Sequence, residues 1–483
     1  MDRVALMEYQ HKKKKYHAVE RLQMLLDRDS FVEIGSQMAD YRHCTGGTGT
    51  GIPYDGVITG RGKIRGKTVF VYAQDFSIKG GTLGRRHGEK IARTIKLAIT
   101  AKSPVIGLYD SGGARIEEGI NALAGCGEMM YCNTLASGCI PQFSVVLGPC
   151  AGAAAYSPAI TDFIFMVDHI SCMFVTGPDV VKRVTGEECS SQELGGADVH
   201  NHLSGVAHRR FGNEKDCFRC LRNLVEILPA SCDNTREHAS AYTNRNTPEI
   251  RDILPTESRI PYDMRNLLYG IIDENSFIEL GDQFAKSVVT GFAKLSGQTI
   301  GIVANQPLEN GGALTCDSSD KAARFVRYCD CFNIPVITFV DTPGYLPGKE
   351  QEHSGIIRHG AKLLFAYSEA IVPKVTVIVR KAYGGAYIAM GSKHVGADGA
   401  AAILNKRELA NIEDYADRQK LLSEKAEEYQ KGFMNTDIAL AEGFVDEIVA
   451  YESLRKRIFS DITALEHKTE GMGIRKKHGN IPL

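Results

Sequence analysis

The sequence predicts an α/β protein made of two tandem copies of one unit, and two observations support this prediction. First, the segment that begins at Leu25 returns with conservative changes from Ile271. Second, short apolar runs typical of buried strands alternate with helical stretches in the same order in both halves. Each half is therefore predicted to contain a hairpin, a helix and further strands.

The spacing of the repeat indicates where the copies divide. Gly60 and Gly291 occupy equivalent places in the two hairpins, Asp110 and Asp341 end equivalent strands, and both pairs are 231 positions apart. The segment between the copies is rich in Asn, Thr, Glu and Pro, which is typical of a domain boundary. We expect one domain over residues 1–245 and a second over residues 246–483.

The composition limits the partners of the chain. Its 57 Lys and Arg nearly balance its 58 Asp and Glu, so no strongly basic field is available and we expect no nucleic-acid partner. No apolar run reaches the roughly 18 residues that a membrane span needs. The 13 cysteines show no set of zinc ligands at defined spacing, so we expect a reduced cytoplasmic protein without a metal.

Small residues follow the last apolar strand of each copy, at Gly152 and Ala153 and again at Gly385 and Ala386. A strand that turns into a helix through such residues exposes the first backbone N–H groups of the helix. One donor of this kind lowers a barrier by about 2.7 to 4 kcal/mol when it faces a developing oxyanion. Two turns therefore predict two developing anions, although tight helix packing is the more common reason for such glycines when a turn is considered alone.

A second turn rich in small residues follows the preceding strand of each copy, after Asp110 and after Asp341. Ligands favour the carboxyl ends of parallel strands, so these turns are candidate binding elements. The two aspartates can act as general bases, but an aspartate before a glycine turn more often caps the turn, and we expect caps.

At these motifs the sequence closely resembles the carboxyltransferase subunits of biotin-dependent acyl-CoA carboxylases and decarboxylases. That family includes the beta subunit of propionyl-CoA carboxylase, the alpha subunit of methylmalonyl-CoA decarboxylase, and transcarboxylase. The resemblance covers nearly the whole chain. The most specific matching segments are residues 110–116, 148–152, 355–362 and 380–387.

The resemblance implies an enzyme with two crotonase-like domains. The first would bind acyl-CoA, with Gly152 and Ala153 holding the thioester oxygen. The second would bind biotin, with Gly385 and Ala386 holding the ureido oxygen. In a homo-hexamer, the acyl-CoA domain of one subunit would work with the biotin domain of a neighbouring subunit. The residues expected to contact substrate are Ser111, Gly112, Gly113, Ala114, Arg115, Cys150, Ala151, Tyr156, Gly344, Tyr345, Gly384 and Ile388.

The implied reaction is carboxyl transfer between carboxybiotin on a carrier protein and a short-chain acyl-CoA, either propionyl- or methylmalonyl-CoA, or acetyl- or malonyl-CoA. No side-chain base is required, because biotin takes the α-proton. The chain contains neither an Ala-Met-Lys biotinylation site nor an ATP-grasp signature. Its expected partners are therefore a biotin carboxyl carrier protein with a biotin carboxylase subunit, or a membrane decarboxylase subunit.

The sequence departs from the family at several places, among them Arg85 and Arg86, Ala153, Ile388 and the segment after Asp398. Ala153 replaces the usual second glycine, which keeps the N–H group and adds a methyl group. After Asp398 the chain runs directly into Gly399, where relatives have a longer segment that includes a tryptophan, whereas Asp162 leads into an apolar strand. We therefore expect the second copy to lack a strand.

Three other functions stay open on the sequence. Ile388 and its two successors are more similar to the decarboxylase branch, so a methylmalonyl-CoA decarboxylase subunit that runs the transfer in reverse is one alternative. The departure after Asp398 motivates a second, a non-catalytic assembly subunit. A crotonase-type hydratase or isomerase is the third, and it would need a pair of carboxylates aimed at the substrate.

Overall fold

The structure is a computed structural model that describes residues 3–38, 53–234, 241–244, 252–255, 260–403, 436–466 and 468. It divides into two compact units, Met1–Asn234 and Thr235–Leu483. The division falls at the start of the polar segment between the two sequence copies, earlier than residue 245.

The first unit is a sheet with helices around it. Its helices are α1 (Arg3–Lys12), α2 (Ala18–Leu25), α3 (Arg85–Thr100), α4 (Ile120–Ala136), α5 (Ala153–Ile160), α6 (Pro178–Thr185), α7 (Ser191–Gly195) and α8 (Glu214–Ile227). Its strands are β1 (Val32–Glu33), β2 (Val57–Ile64), β3 (Lys67–Gln74), β4 (Val105–Ser111), β5 (Gln142–Ala151), β6 (Phe163–Val167), β7 (Cys172–Phe174) and β8 (Arg209–Phe211).

The second unit repeats this plan. Its helices are α9 (Met264–Ile271), α10 (Cys316–Cys331), α11 (Lys349–His353), α12 (Ile356–Glu369), α13 (Gly384–Ala389), α14 (Thr436–Ala441) and α15 (Tyr451–Ala464). Its strands are β9 (Ile278–Leu280), β10 (Val288–Leu295), β11 (Gln298–Asn305), β12 (Val336–Thr342), β13 (Lys374–Ala382), β14 (Gly399–Ile403) and β15 (Glu447–Val449).

The two sheets share one topology. In the first the strand order is β1-β2-β3-β4-β5-β6-β8, and in the second it is β9-β10-β11-β12-β13-β14-β15. Each begins with antiparallel pairs and continues with parallel ones. The predicted α/β fold with an internal repeat is confirmed.

Helices cover the central strands because the apolar residues of both elements are placed for burial. Every residue of β4 and of β12 is buried, as expected for parallel strands that are covered on both faces. In α3, the residues Ile91, Ile95 and Ala98 recur at helical spacing and are fully buried in the core of the first unit.

The structure changes which strand the second copy is expected to lack, because the strand directly after Asp398 is present as β14. Gly399 opens β14 and pairs with Val375, as Phe163 opens β6 and pairs with Phe143. A strand needs only main-chain donors and acceptors to join a parallel ladder, so the small residues of β14 fill this place. What the described part of the second unit does not contain is a counterpart of β7.

Helices α3 and α4 pack so closely that glycine is required between them. A Cβ atom on Gly125 of α4 would lie 2.9 Å from the carbonyl oxygen of Gly84, whereas one on Gly127 would meet no atom within 4 Å. We expect Gly125→Ala to lower the free energy of unfolding by about 1 to 3 kcal/mol through overpacking. The matched Gly127→Ala should raise it by about 0.5 to 1 kcal/mol. Denaturant titration of both variants tests this, and equal effects would contradict the packing.

Candidate functional site

The site begins with one backbone conformation that occurs in both units. Gly152 follows β5 and precedes α5, with φ +59°. Gly384 follows Tyr383 after β13 and opens α13, and its φ is also +59°. Glycine adopts this left-handed region without the steric cost that a side chain adds. The two turns are therefore geometric counterparts.

The N–H groups at these turns differ in their partners. The Gly152 N–H donates to the carbonyl of Phe174 in β7 (3.0 Å), so Gly152 supplies the conformation of the turn, and the first unused donor is Ala153. In the second unit the Tyr383 N–H donates to Thr342 (3.3 Å). Gly384, Gly385 and Ala386 are the first residues of α13, where N–H groups have no acceptor within the helix.

The described residues leave space in front of both turns. A Cβ atom on Gly152 would approach only the carbonyl oxygen of Val175, at 3.8 Å, and one on Gly384 would meet nothing within 4 Å. One helical turn further on, Tyr156 is 49% exposed and Ile388 is 39% exposed. These two side chains occupy equivalent places beside the two turns.

The preceding glycine turns lie next to them, as predicted. Ser111 pairs with Cys150, and Thr342 pairs with Ala382. A Cβ atom on Gly113 (φ +105°) would lie 2.8 Å from the carbonyl oxygen of Ala151. The first unit thus brings its two turns into direct backbone contact.

In the second unit the neighbouring turn supplies an aromatic wall. The ring of Tyr345 lies 3.9 Å from the place of a Cβ atom on Gly385. Burial raises the pKa of Tyr345 to about 12, so its hydroxyl stays protonated near neutral pH. Gly344 has φ +135°, and a Cβ atom on it would meet no atom within 4 Å.

A third turn completes each cluster, and the sequence interpretation missed it. Gly80 accepts the N–H of Gly112 (3.0 Å), and a Cβ atom on Gly81 would overlap the carbonyl oxygen of Asp110. In the second unit a Cβ atom on Gly312 would overlap the carbonyl oxygen of Asp341. The signal was in the sequence, since Gly81 and Gly312 are also 231 positions apart.

The comparisons with known proteins agree on one family. The model of the carboxyl transferase domain matches residues 9–481. The chain belongs to the carboxyl transferase domain family. It is 47% identical to the carboxyltransferase subunit of propionyl-CoA carboxylase from Haloferax mediterranei, over 100% of this chain and 96% of the relative. It is 45% identical to the alpha subunit of methylmalonyl-CoA decarboxylase from Veillonella parvula, over 99% and 95%.

A solved structure gives the same answer for the fold. The transcarboxylase 12S structure, with methylmalonyl-CoA and methylmalonic acid bound, superposes with a TM-score of 0.93 at 41% identity, over 99% of this chain and 95% of that one. The expected two-domain crotonase-like fold is confirmed. Family membership also confirms an enzyme of acyl-CoA carboxyl transfer, which uses a CoA thioester and biotin carried by another protein.

The chain is shorter than this archaeal relative inside the matched region. The alignment with the Haloferax mediterranei subunit spans 500 positions, against the 483 residues of this chain, so at least 17 positions of the relative have no counterpart. The carboxyltransferase nevertheless retains its full order of strands from β9 to β15.

Three predicted substrate contacts are placed where their side chains cannot reach a ligand. The guanidinium of Arg115 is 1% exposed, donates to Asp55 (2.6 Å) and Glu118 (2.8 Å), and so holds the turn. The Cys150 thiol is fully buried, and burial raises its pKa. The buried Ser111 hydroxyl accepts the N–H of Gly113 (3.2 Å). These three side chains point into the unit, so a contact of these residues with a ligand would come from the backbone.

The two aspartates also differ from expectation, because they belong to buried ion pairs rather than turn caps. Asp110 accepts from Lys15 (2.7 Å) and Arg21 (2.9 Å). Asp341 accepts from Arg380 (3.0 Å) and from the hydroxyl of Tyr262 (2.9 Å). Both carboxylates are fully buried, so neither faces the space in front of the turns.

Among the described residues, no group of three or more His, Cys, Asp or Glu side chains is arranged to hold a metal ion. In the same residues, no helix combines the length and the apolar character needed to cross a bilayer.

We expect Asp110→Asn to destabilise the carboxyltransferase strongly, because Lys15 would remain buried without a counter-charge, whereas Arg21 would keep only its pair with Glu214. Breaking a buried pair from one side costs about 3 to 5 kcal/mol. Asp179→Asn on the exposed face of α6 is the control and should cost little. Urea unfolding of both variants measures the difference, and similar midpoints would contradict the role assigned to Asp110.

Proposed function

We propose that this chain is the carboxyltransferase subunit of a biotin-dependent acyl-CoA carboxylase, and that its acyl substrate is propionyl-CoA or a similar short-chain acyl-CoA. One observation carries the proposal: the same glycine turn, with φ +59° and unused N–H groups beside it, opens a helix in each unit. Two anion-stabilising turns suit a reaction with two carbonyl partners. The propionyl group is supported by the names of relatives that match nearly the whole chain.

The first unit holds the acyl thioester. The Ala153 N–H lies at the start of α5, where the helix dipole also favours negative charge. A donor in this place stabilises the enolate oxygen more than the thioester oxygen, which lowers the barrier to enolate formation. Tyr156, one turn along α5, borders the acyl group. Ala153 keeps the donor that the family's glycine provides.

The second unit suits biotin. Biotin, delivered on a carrier protein, supplies the carboxyl group and accepts the α-proton. The oxygen of a cyclic urea accepts hydrogen bonds from N–H donors, and its ring packs well against a flat apolar surface. Gly384, Gly385 and Ala386 supply the donors, and the Tyr345 ring supplies the wall. These residues would hold the ureido oxygen and orient the ring.

Neither carboxylate at the end of β4 or β12 is placed to act as a base at the turns. Asp110 and Asp341 lie at the ends of these strands, and each forms an ion pair with a buried cation. A hydratase or isomerase needs a carboxylate aimed at the substrate, so this alternative has no support. The non-catalytic alternative rested on the gap after Asp398; β14 keeps its place in the sheet there, and the relatives over nearly the whole chain are carboxylase subunits, so we do not favour it.

The decarboxylase alternative differs mainly in its partners. The decarboxylase subunit of Veillonella parvula is 45% identical, against 47% and 48% for the carboxylase subunits, and we favour the carboxylase. A biotin carboxyl carrier protein and a biotin carboxylase are then the partners. The cytoplasmic location stays a prediction.

Assembly into a homo-hexamer is part of the proposal, because the transcarboxylase 12S relative is a hexamer. The first unit exposes apolar side chains on two helices, which a second copy would cover. Helix α6 contains no buried residue, and its Val184 is 77% exposed. On α4, the apolar side chains of Ile120 and Leu123 are exposed as well.

The donor assigned to Ala153 is tested by Ala153→Pro. Proline at the first helical position keeps the helix, since its φ is suitable, but it removes the N–H group. We expect kcat for biotin-dependent decarboxylation of methylmalonyl-CoA to fall by about 10² to 10³. The assay uses the purified chain with free biotin and follows release of propionyl-CoA.

The matched control is Ala153→Gly, which keeps the N–H group and should keep kcat. Loss of activity in both variants would point to a packing role and overturn the assignment of the donor. An inactive wild-type chain that is folded and binds acyl-CoA would overturn carboxyl transfer itself.

A further inference from the structure

A chain of buried hydroxyl and amide groups connects α5 to the sheet of the first unit. The hydroxyls of Tyr72 and Tyr109 are 2.5 Å apart, and Tyr109 is 2.9 Å from the Ser157 hydroxyl on α5. Ser157 donates to Asn133 on α4 (2.9 Å), and Asn133 donates to Gln142 (3.0 Å). All five residues are buried, so no solvent replaces these bonds.

The direction of each bond in this hydroxyl relay follows from counting protons. The single hydroxyl proton of Ser157 goes to Asn133, so Tyr109 must donate to Ser157. Tyr109 then has no proton left, and Tyr72 must donate to Tyr109. Burial raises the pKa of both tyrosines, which keeps both hydroxyls protonated. The relay therefore ends on α5 with one defined orientation.

Helix α5 needs such support because its own hydrogen bonding is weak. It has eight residues and contains Pro158, which cannot donate to the carbonyl of Ala154. The thiol of Cys150 approaches that carbonyl instead, at 3.4 Å. The helix also begins directly after the positive φ of Gly152. Ser157 lies one turn after Ala153 and is the polar residue that joins α5 to β4 and α4.

The second unit indicates that the fold does not require this relay. By strand register, Tyr109 pairs with Val146 as Val340 pairs with Ile378. Counting from the equivalent glycines Gly152 and Gly384, Ser157 corresponds to Ala389. Thus the same strand, turn and helix form with valine and alanine at these positions.

We propose that Ser157, held by Tyr109 and Asn133, is a positioning residue that sets the start of α5 and the direction of the Ala153 N–H. This inference rests on the proposed function, in which that N–H binds the acyl thioester oxygen. Ser157 lies below the turn and does not touch the substrate. Its effect reaches the reaction only through the backbone of α5.

The test compares three variants of the full chain in the decarboxylation assay with methylmalonyl-CoA and free biotin. Ser157→Ala and Tyr109→Phe both remove the bond between Tyr109 and α5, and Ser157→Ala also removes the bond to Asn133. We expect each to lower kcat by about ten- to hundredfold without a change in KM, because a displaced donor loses transition-state stabilisation. The double variant should lose no more than Ser157→Ala alone, since that variant already lacks the bond that Tyr109 makes.

Tyr72→Phe is the matched control. It also removes a hydroxyl from the same buried relay, but the bond from Tyr109 to Ser157 survives. It should lower the midpoint of thermal unfolding while kcat is retained. If Ser157→Ala does not fold, Tyr109→Phe against Tyr72→Phe still decides the question.

The outcomes separate this inference from the function on which it rests. A wild-type chain without activity would overturn the proposed function, and the positioning role with it. An active wild type whose Ser157→Ala and Tyr109→Phe variants keep kcat would overturn the positioning role alone. The positioning role would also be overturned if Tyr72→Phe lowered kcat as much as Tyr109→Phe does, because the relay would then have only a structural role.

Discussion

The packing of backbone against backbone at the carboxyl ends of β4 and β12 is the constraint on which the site depends. A side chain on Gly81 would overlap the carbonyl oxygen of Asp110, and one on Gly312 would overlap that of Asp341. Because no side chain fits between these turns, the main chain itself forms the surface there. The N–H groups of the following helices, rather than side-chain donors, are therefore what this surface offers to a substrate oxygen.

The same packing explains why the conspicuous polar residues of the motifs are structural. A turn without side chains on its ligand-facing side needs stabilising contacts on its buried side. Arg115 provides them through its ion pairs with Asp55 and Glu118. Asp110 and Asp341 likewise lie behind the turns, where burial demands a partner for each charge. The first is neutralised by Lys15 and Arg21, and the second by Arg380, so the two copies conserve the carboxylate and not its partner.

The two units use one fold for turns with different surroundings. In the first, β7 lies beside the glycine turn and takes the Gly152 N–H, and a polar relay holds α5. In the second, the described residues contain no counterpart of β7, and the turn of Gly384 is open beside the Tyr345 ring. In the proposed function a small acyl thioester binds at the first turn and a carrier-bound cyclic urea at the second, and these two ligands place different demands on access.

The sequence by itself determined the repeat, the central strands, the four glycine turns that follow them and the family, because each is encoded locally in residue spacing and in residues that tolerate positive φ. Only the tertiary structure decided which side chains face the ligand. Lys15 donates to Asp110, which is 95 positions away along the chain, and the hydroxyls of Tyr109 and Ser157 are hydrogen-bonded although the residues are 48 positions apart. The place of β14 was likewise decided by pairing, because a ladder is formed by main-chain groups that all sequences share. Partners that are distant along the chain leave no local pattern, so burial and contact could be known only once the strands were side by side.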